Sequence, residues 1–300
     1  MNSLLNVDQL TKQYSNQCVV DSISFQLEPN TSTALIGPNG AGKTTTLSML
    51  AGLVKQTSGV IKFKDTAQGD VRTCVGFLPQ YPKFFPWMTA LEFVEMAARL
   101  SGMDKRKAQV ESERTLAFVG LGEVMKKKVG GFSGGMKQRL GLAQAVVHKP
   151  KLLLLDEPVS ALDPVGRRQI MDLLKELQKN TTILYSTHIL NDAEEMTDQL
   201  IFMKAGKIVE QGSLGKVRKK YEEPKILIEF AQEEELNRFR SKVAWNIKTI
   251  KNTGIIEAKE APITMNEVIC KLSEGSFDIL KLEWQTADLE DIFLKVVEGK

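Results

Sequence analysis

Eight residues, Gly37-Pro38-Asn39-Gly40-Ala41-Gly42-Lys43-Thr44, constrain this chain more than any other feature. They fill every fixed position of the pattern G-x-x-x-x-G-K-[ST]. The pattern has physical meaning only between a strand and a helix, and both are legible around it. Ser32 to Ile36 is a short β-prone run ending just before Gly37, and a helical pattern runs from Thr44 to Leu53. Such a turn brings backbone N–H groups and a helix N-terminus onto one anion site, and its glycines let the backbone approach phosphate without a Cβ in the way. Lys43 is expected to reach the β- and γ-phosphates of a nucleotide and the Thr44 hydroxyl to bind Mg2+, with Thr45 beside them.

A second motif fits the same chemistry. Leu152-Leu153-Leu154-Leu155 reads as a buried strand that stops at Asp156-Glu157. Asp156 is expected to hold the magnesium shell and Glu157 to polarise an attacking water as a general base. The runs Lys151–Leu155 and Thr182–Tyr185 flank a helix over Pro164–Gln178, a βαβ unit and hence a parallel sheet. Strands are expected at 19–27 and 32–36, helices at 89–100 and 105–119, and a closing hairpin at 201–209 around Lys204-Ala205-Gly206-Lys207.

These motifs define a P-loop NTPase; a third narrows the class. In Phe132-Ser133-Gly134-Gly135-Met136-Lys137-Gln138-Arg139, Ser133, Gly134 and Gly135 open a helix running to Val147, a second helix end suited to phosphate. The segment resembles the signature sequence Leu-Ser-Gly-Gly-Gln of the ABC ATPases. Gln80 in Gly76-Phe77-Leu78-Pro79-Gln80 resembles their Q-loop, Ser160-Ala161-Leu162-Asp163 their D-loop, and His188 in Ser186-Thr187-His188 their switch histidine. Met136 stands where the family has glutamine and Phe132 where it has leucine, so only the serine and backbone contacts carry over there. Together the markers span about Asn6 to Gly212.

The resemblance implies an α/β fold: a RecA-like parallel sheet core with an N-terminal antiparallel β subdomain and a helical subdomain at about 84–148. It implies ATP and Mg2+ as ligands, with Gln80 joining Thr44 and Asp156 at the metal and His188 touching the γ-phosphate. Ser133, Gly134, Gly135 and Met136 would complete the ATP site of a second ATP-binding subunit, in a homodimer or heterodimer. Tyr14 is either the aromatic that stacks on adenine or a strand-end core residue. The cluster Tyr81-Pro82-Lys83-Phe84-Phe85-Pro86-Trp87-Met88 either anchors a membrane-spanning permease subunit or packs the helical subdomain. Within transporters, the Gly-Phe-Leu-Pro-Gln form and the ending Asp288 to Leu294 resemble bacterial exporters of drugs, peptides or polysaccharides.

Composition removes other classes. The chain has 300 residues, 42% hydrophobic and 26% charged, enough for one large α/β domain and a smaller one. A net charge of +3 does not call for a nucleic-acid partner. The start lacks a secretory pattern and no apolar run reaches the roughly 20 residues of a membrane span, so the expectation is a cytoplasmic protein, peripheral on the inner face of a membrane. Three separated cysteines, read as small packed residues, and two histidines fit no zinc spacing. Two other functions are possible on this basis: a non-transport ABC ATPase acting on the ribosome or nucleic acid, or an ATPase governed by a ligand-binding C-terminal domain. With one P-loop and no sustained heptads, the first lacks its usual signs.

The ATP-binding domain is expected over 1–215, a linker over 216–224 and a small α+β domain over 225–300. The latter's pattern is a strand at 225–230, a helix at 233–243, strands at 247–251 and 254–259, a helix at 264–272, a strand at 278–284 and a helix at 289–297. That βαββαβ order predicts a ferredoxin-like sandwich.

Overall fold

The computed structural model describes residues 3–64, 73–160, 162–221, 224–257, 263–285 and 288–298. Ala161 of the D-loop-like segment, residues 222–223 of the expected linker and residues 258–259 of an expected strand lie outside these. The chain divides into two units, one running to Leu214 and including residues from Val296 onward, the other spanning Gly215–Lys295.

The first unit opens with β1 (Leu5–Tyr14), β2 (Gln17–Leu27) and β3 (Ser32–Ile36), followed by α1 (Lys43–Leu50) and β4 (Ser58–Phe63). β1 lies between β2 and β4 in a three-stranded antiparallel sheet. Helix α1 stops short of the expected Leu53 because Gly52 turns to a φ of 70°, a left-handed conformation that ends helices. The helix-rich section contains α2 (Ala90–Leu100), α3 (Lys105–Phe118) and α4 (Gly134–Val146), after β5 (Val75–Leu78). Each helix begins on a side-chain cap: Thr89 in a capping box with Glu92, Asp104, and Ser133.

The chain then forms β6 (Leu152–Asp156), α5 (Pro164–Gln178), β7 (Thr182–Thr187), α6 (Leu190–Met196), β8 (Gln199–Lys204) and β9 (Lys207–Ser213). The central sheet has the order β5-β6-β7-β3-β8-β9, parallel except for the β8–β9 hairpin, whose turn residues Ala205 and Gly206 both take positive φ. Strands β3, β6 and β7 are buried at every position, as a parallel sheet covered on both faces requires. One core cluster joins Leu5, Leu10 and Leu27 of the antiparallel sheet to Leu47 and Leu50 of α1 and to Leu154 and Leu184 of the central sheet. At about 1.5–3 kcal/mol for each such side chain buried, this apolar contact fixes α1 against the sheet. The registers Ile36↔Thr187 and Asp156↔Ser186 bring the carboxyl ends of β3, β7 and β6 level, where open α/β sheets bind ligands.

The stretch expected as a linker starts as a helix, α7 (Leu214–Lys220). Its Val217 is buried, and Arg218, Lys219 and Lys220 in the last turn suit the negative end of a helix dipole. The second unit follows with β10 (Lys225–Phe230), α8 (Glu233–Lys242), β11 (Ile247–Ile250), β12 (Thr253–Glu257), α9 (Met265–Ser273), β13 (Ile279–Gln285) and α10 (Leu289–Phe293). Its antiparallel order β11-β12-β10-β13 is that of a ferredoxin-like sandwich. Ile226, Ile228 and Phe230 point from β10 into a core with Leu236, Phe239, Val268 and Leu272 of the helices.

A correction concerns the cysteines. All three are free, but Cys18 and Cys270 are exposed and only Cys74 is partly covered. Cys18 lies on an exposed stretch of β2 and Cys270 on the outer side of α9.

Candidate functional site

The glycine-rich loop leaves β3 and enters α1 at Lys43. Gly42 takes a φ of 101°, and a Cβ there would lie 2.7 Å from the Val19 carbonyl. At Gly37 a Cβ would meet the Met203 carbonyl at 2.3 Å, so the loop packs on β2 and β8 only because both positions are glycine. Helix α1 has no side-chain cap and no acidic residue in its first turn, which leaves its amino end to an anion. A cavity of about 310 Å³ opens there, lined by Val19, Asn39 to Thr45, Gln80 and Glu157.

Lys43 is only 6% exposed. Its Nζ donates to the carbonyls of Gly37 at 2.6 Å and Pro38 at 3.1 Å. Burial pushes its pKa below the usual lysine value, while the nearby Glu157 and Asp156 carboxylates pull it back up. A cation held at such cost inside a glycine-rich loop matches a ligand that arrives with negative charge.

Across the cavity, Glu157 is the first residue after β6 and takes a φ of 48°, a left-handed backbone that costs a non-glycine residue on the order of 1–3 kcal/mol. Its carboxylate accepts a bond from Gln80 Nε2 at 2.9 Å and lies 3.2 Å from His188 Nδ1. Asp156, 2% exposed, accepts at Oδ1 from the Ser186 hydroxyl at 2.6 Å. The structure therefore gathers Asn39 to Thr45, Gln80 and Glu157 around one cavity, with His188 joined through Glu157.

Other expected site residues lie elsewhere. Ser133 caps α4, its Oγ accepting from Met136 N–H at 3.3 Å, and Ser133, Gly134, Gly135 and Met136 do not line this cavity among the described residues. Tyr14 is 47% exposed at the end of β1, with Lys12 Nζ 4.6 Å from its ring centre, so it is not a core aromatic. In the aromatic cluster, Phe84 packs on Phe93 of α2 at 5.1 Å, while Tyr81 and Trp87 are 74% and 67% exposed.

Two polar residues close to the site escaped sequence reasoning. Gln138 on α4 is buried and donates to the Pro158 carbonyl at 2.7 Å, tying the signature-like helix to the segment after Glu157. The other is Ser186, the next-to-last residue of β7. Its signal was a serine at the end of an apolar strand, level with the end of the acidic one.

A level-ended parallel sheet, an uncapped helix behind a glycine-rich loop and a strand-end carboxylate pair define a P-loop NTPase. A family model described as ABC transporter matches residues 20–160. An uncharacterized ABC transporter ATP-binding protein, YxlF of Bacillus subtilis (strain 168), is 44% identical over 99% of this chain and 100% of that protein. The bacitracin transport ATP-binding protein BcrA of Bacillus licheniformis is 33% identical over 100% of this chain and 99% of that one. Among solved structures, the dimeric post-hydrolysis ATP-binding cassette MJ0796 bound to ADP and Pi superposes with a TM-score of 0.64 at 26% identity, over 70% of this chain and 98% of that chain. The chain belongs to the ATP-binding proteins of ABC transporters. It binds and hydrolyses ATP as a transporter subunit, in preference to the reading that places it on the ribosome or nucleic acid. No helix among the described residues is long and apolar enough to cross a membrane.

Proposed function

We propose that two such cassettes, two copies or one copy and a paralogue, close head to tail on two ATP molecules and that this cycle drives export through a separate membrane-spanning permease. The observation that carries the reading is the Glu157 carboxylate, held between Gln80 and His188 at the cavity walled by Asn39 to Thr45. In each site Lys43 and the loop N–H groups bind the β- and γ-phosphates, Tyr14 stacks on adenine, and His188 contacts the γ-phosphate. Glu157 takes a proton from the attacking water. Ser133, Gly134, Gly135 and the Met136 backbone of the facing subunit close over the nucleotide, so ATP favours the closed pair because only that state makes these contacts.

The residues present suit Mg2+. Thr44, Gln80 and Asp156 offer hard oxygen donors with one carboxylate among them, and Gln80 gives its amide nitrogen to Glu157 while keeping its oxygen as an acceptor. When bound, the ion neutralises charge developing on the transferred phosphoryl group. The match to a Nod factor export ATP-binding protein of Burkholderia pseudomallei, 35% identical over 75% of this chain and 72% of that one, supports export. The exposed Tyr81 and Trp87 support a docked permease, and with it a position on the inner face of the cell membrane.

Glu157→Gln tests the reading. Turnover is expected to fall about 10²–10⁴-fold, the usual worth of a general base, while ATP affinity holds and an ATP-dependent dimer persists on size-exclusion chromatography. Turnover at the parent rate would remove Glu157 from the base role.

A further inference from the structure

Ser186 has no exposed surface and sits directly beside Asp156 in the parallel β6–β7 register. Its hydroxyl makes two bonds at once, donating to Asp156 Oδ1 at 2.6 Å and accepting from the Glu157 N–H at 2.9 Å. One oxygen thus ties the side chain of one acidic residue to the backbone of the next. The second bond matters because Glu157 occupies a left-handed backbone at φ 48°, which a non-glycine residue keeps only where its surroundings hold it. The Asp156–Glu157 peptide is planar, so holding its N–H restrains that plane, and with φ at 48° the plane sets the angle at which the Glu157 side chain leaves the strand. That angle is what takes the carboxylate to Gln80 and His188. A hydroxyl can give one bond and accept another, which neither an apolar side chain nor a carboxylate of similar size can do here.

We propose that Ser186 is a positioning residue for hydrolysis. It holds one oxygen of Asp156, leaving the other for the metal shell, and it locks the backbone turn that aims Glu157 at the attacking water. This rests on the roles assigned above to Asp156 and Glu157.

The test is the pair Ser186→Thr and Ser186→Val. Both add similar bulk to the closed site, so packing strain is shared and the hydroxyl is the difference between them. The threonine variant is expected to keep kcat within about threefold of the parent, whereas the valine variant loses about tenfold or more in kcat with KM little changed, as hydrogen bonds to a charged group are lost. By calorimetry, both variants should bind ATP alike in EDTA, and the gain in affinity on adding Mg2+ should be smaller for valine. Equal kcat in the two variants, at whatever level, overturns the proposal, as does an equal gain from Mg2+. Glu157→Gln is measured in parallel. Parent-rate turnover there sinks the reading beneath; a dead Glu157→Gln with matched threonine and valine variants sinks only the role of Ser186.

Discussion

The central six-stranded sheet and the four-stranded sheet of the C-terminal unit use similar apolar residues for different ends. In the first, β3, β6 and β7 are buried along their whole length and run parallel, so polar residues at their carboxyl ends all arrive at one edge. In the second, β10 alternates buried and partly exposed positions and β13 buries none of its residues fully. Its strands are antiparallel, so their ends point alternately to opposite edges and no cluster of polar ends forms among the described residues. Its charged residues pair locally on the surface, as Lys248 does with Glu257 and Lys281 with Glu283, and such exposed pairs add little stability. The lesson is that strand direction decides where chemistry can collect, while burial alone builds only a core.

The contrast is open to breakage at several points. The largest effect is expected at Lys43→Ala, which removes the charge-assisted bonds proposed to the β- and γ-phosphates, about 1.5–3 kcal/mol each, and so weakens ATP binding about a hundredfold or more. Because Lys43 is held against the cost of its own burial, the melting temperature of the nucleotide-free protein should shift by no more than a few degrees. A large loss of stability would show that the first unit's site is built for packing after all.

Next comes Phe239→Ala in the second unit. Phe239 is fully buried and lies 5.6 Å, ring centre to ring centre, from both Phe230 and Phe277. Its truncation should cost about 3–5 kcal/mol in denaturant melts of the C-terminal unit, with ATP affinity unchanged. A parallel loss of ATP affinity would join the two regions functionally.

Smaller is the loss at Thr264→Ala. Thr264 and Glu267 form a capping box at the start of α9, and breaking it should cost about 1 kcal/mol without touching turnover.

The last effect is one of pH and appears only in acid. His148 bonds the Val75 carbonyl through Nε2, its Nδ1 is buried without a partner, and burial lowers its pKa. A histidine with a depressed folded-state pKa binds its proton more readily when unfolded. Stability is therefore full above the unfolded value of about 6.5 and falls as pH drops through it, by at most about 1.4 kcal/mol per pH unit. His148→Gln should flatten that slope between pH 7 and 5 in thermal melts. Both histidines of the chain precede residue 215, so a histidine-driven acid loss belongs to the first unit alone.

Much of the first unit was legible because its motifs have fixed spacing and its parallel strands are unbroken apolar runs. Helix α5 was bounded correctly at both ends by Pro164 and Gln178. Strand β1 was missed, and the reason is physical: register shifts follow Val7, and Gln9 takes a φ of 46°, so apolar residues do not alternate along it. Helix α7 was hidden for another reason, since a run as basic as Lys216 to Lys220 reads as linker until Val217 is seen to be buried.

The sequence by itself determined that the chain has a glycine-rich turn between a strand and a helix, an acidic strand end and a signature-like helix start, because each is a local pattern of residues a few positions apart. It also determined the ferredoxin-like order of the C-terminal unit. Only the tertiary structure decided which of these meet. Gln80, Glu157 and His188 come together because β5, β6 and β7 are sheet neighbours, whereas Ser133 stays outside the cavity. The partnership of Ser186 with Asp156 depends on the register of two strands about 30 residues apart, and no local pattern in the chain specifies that register.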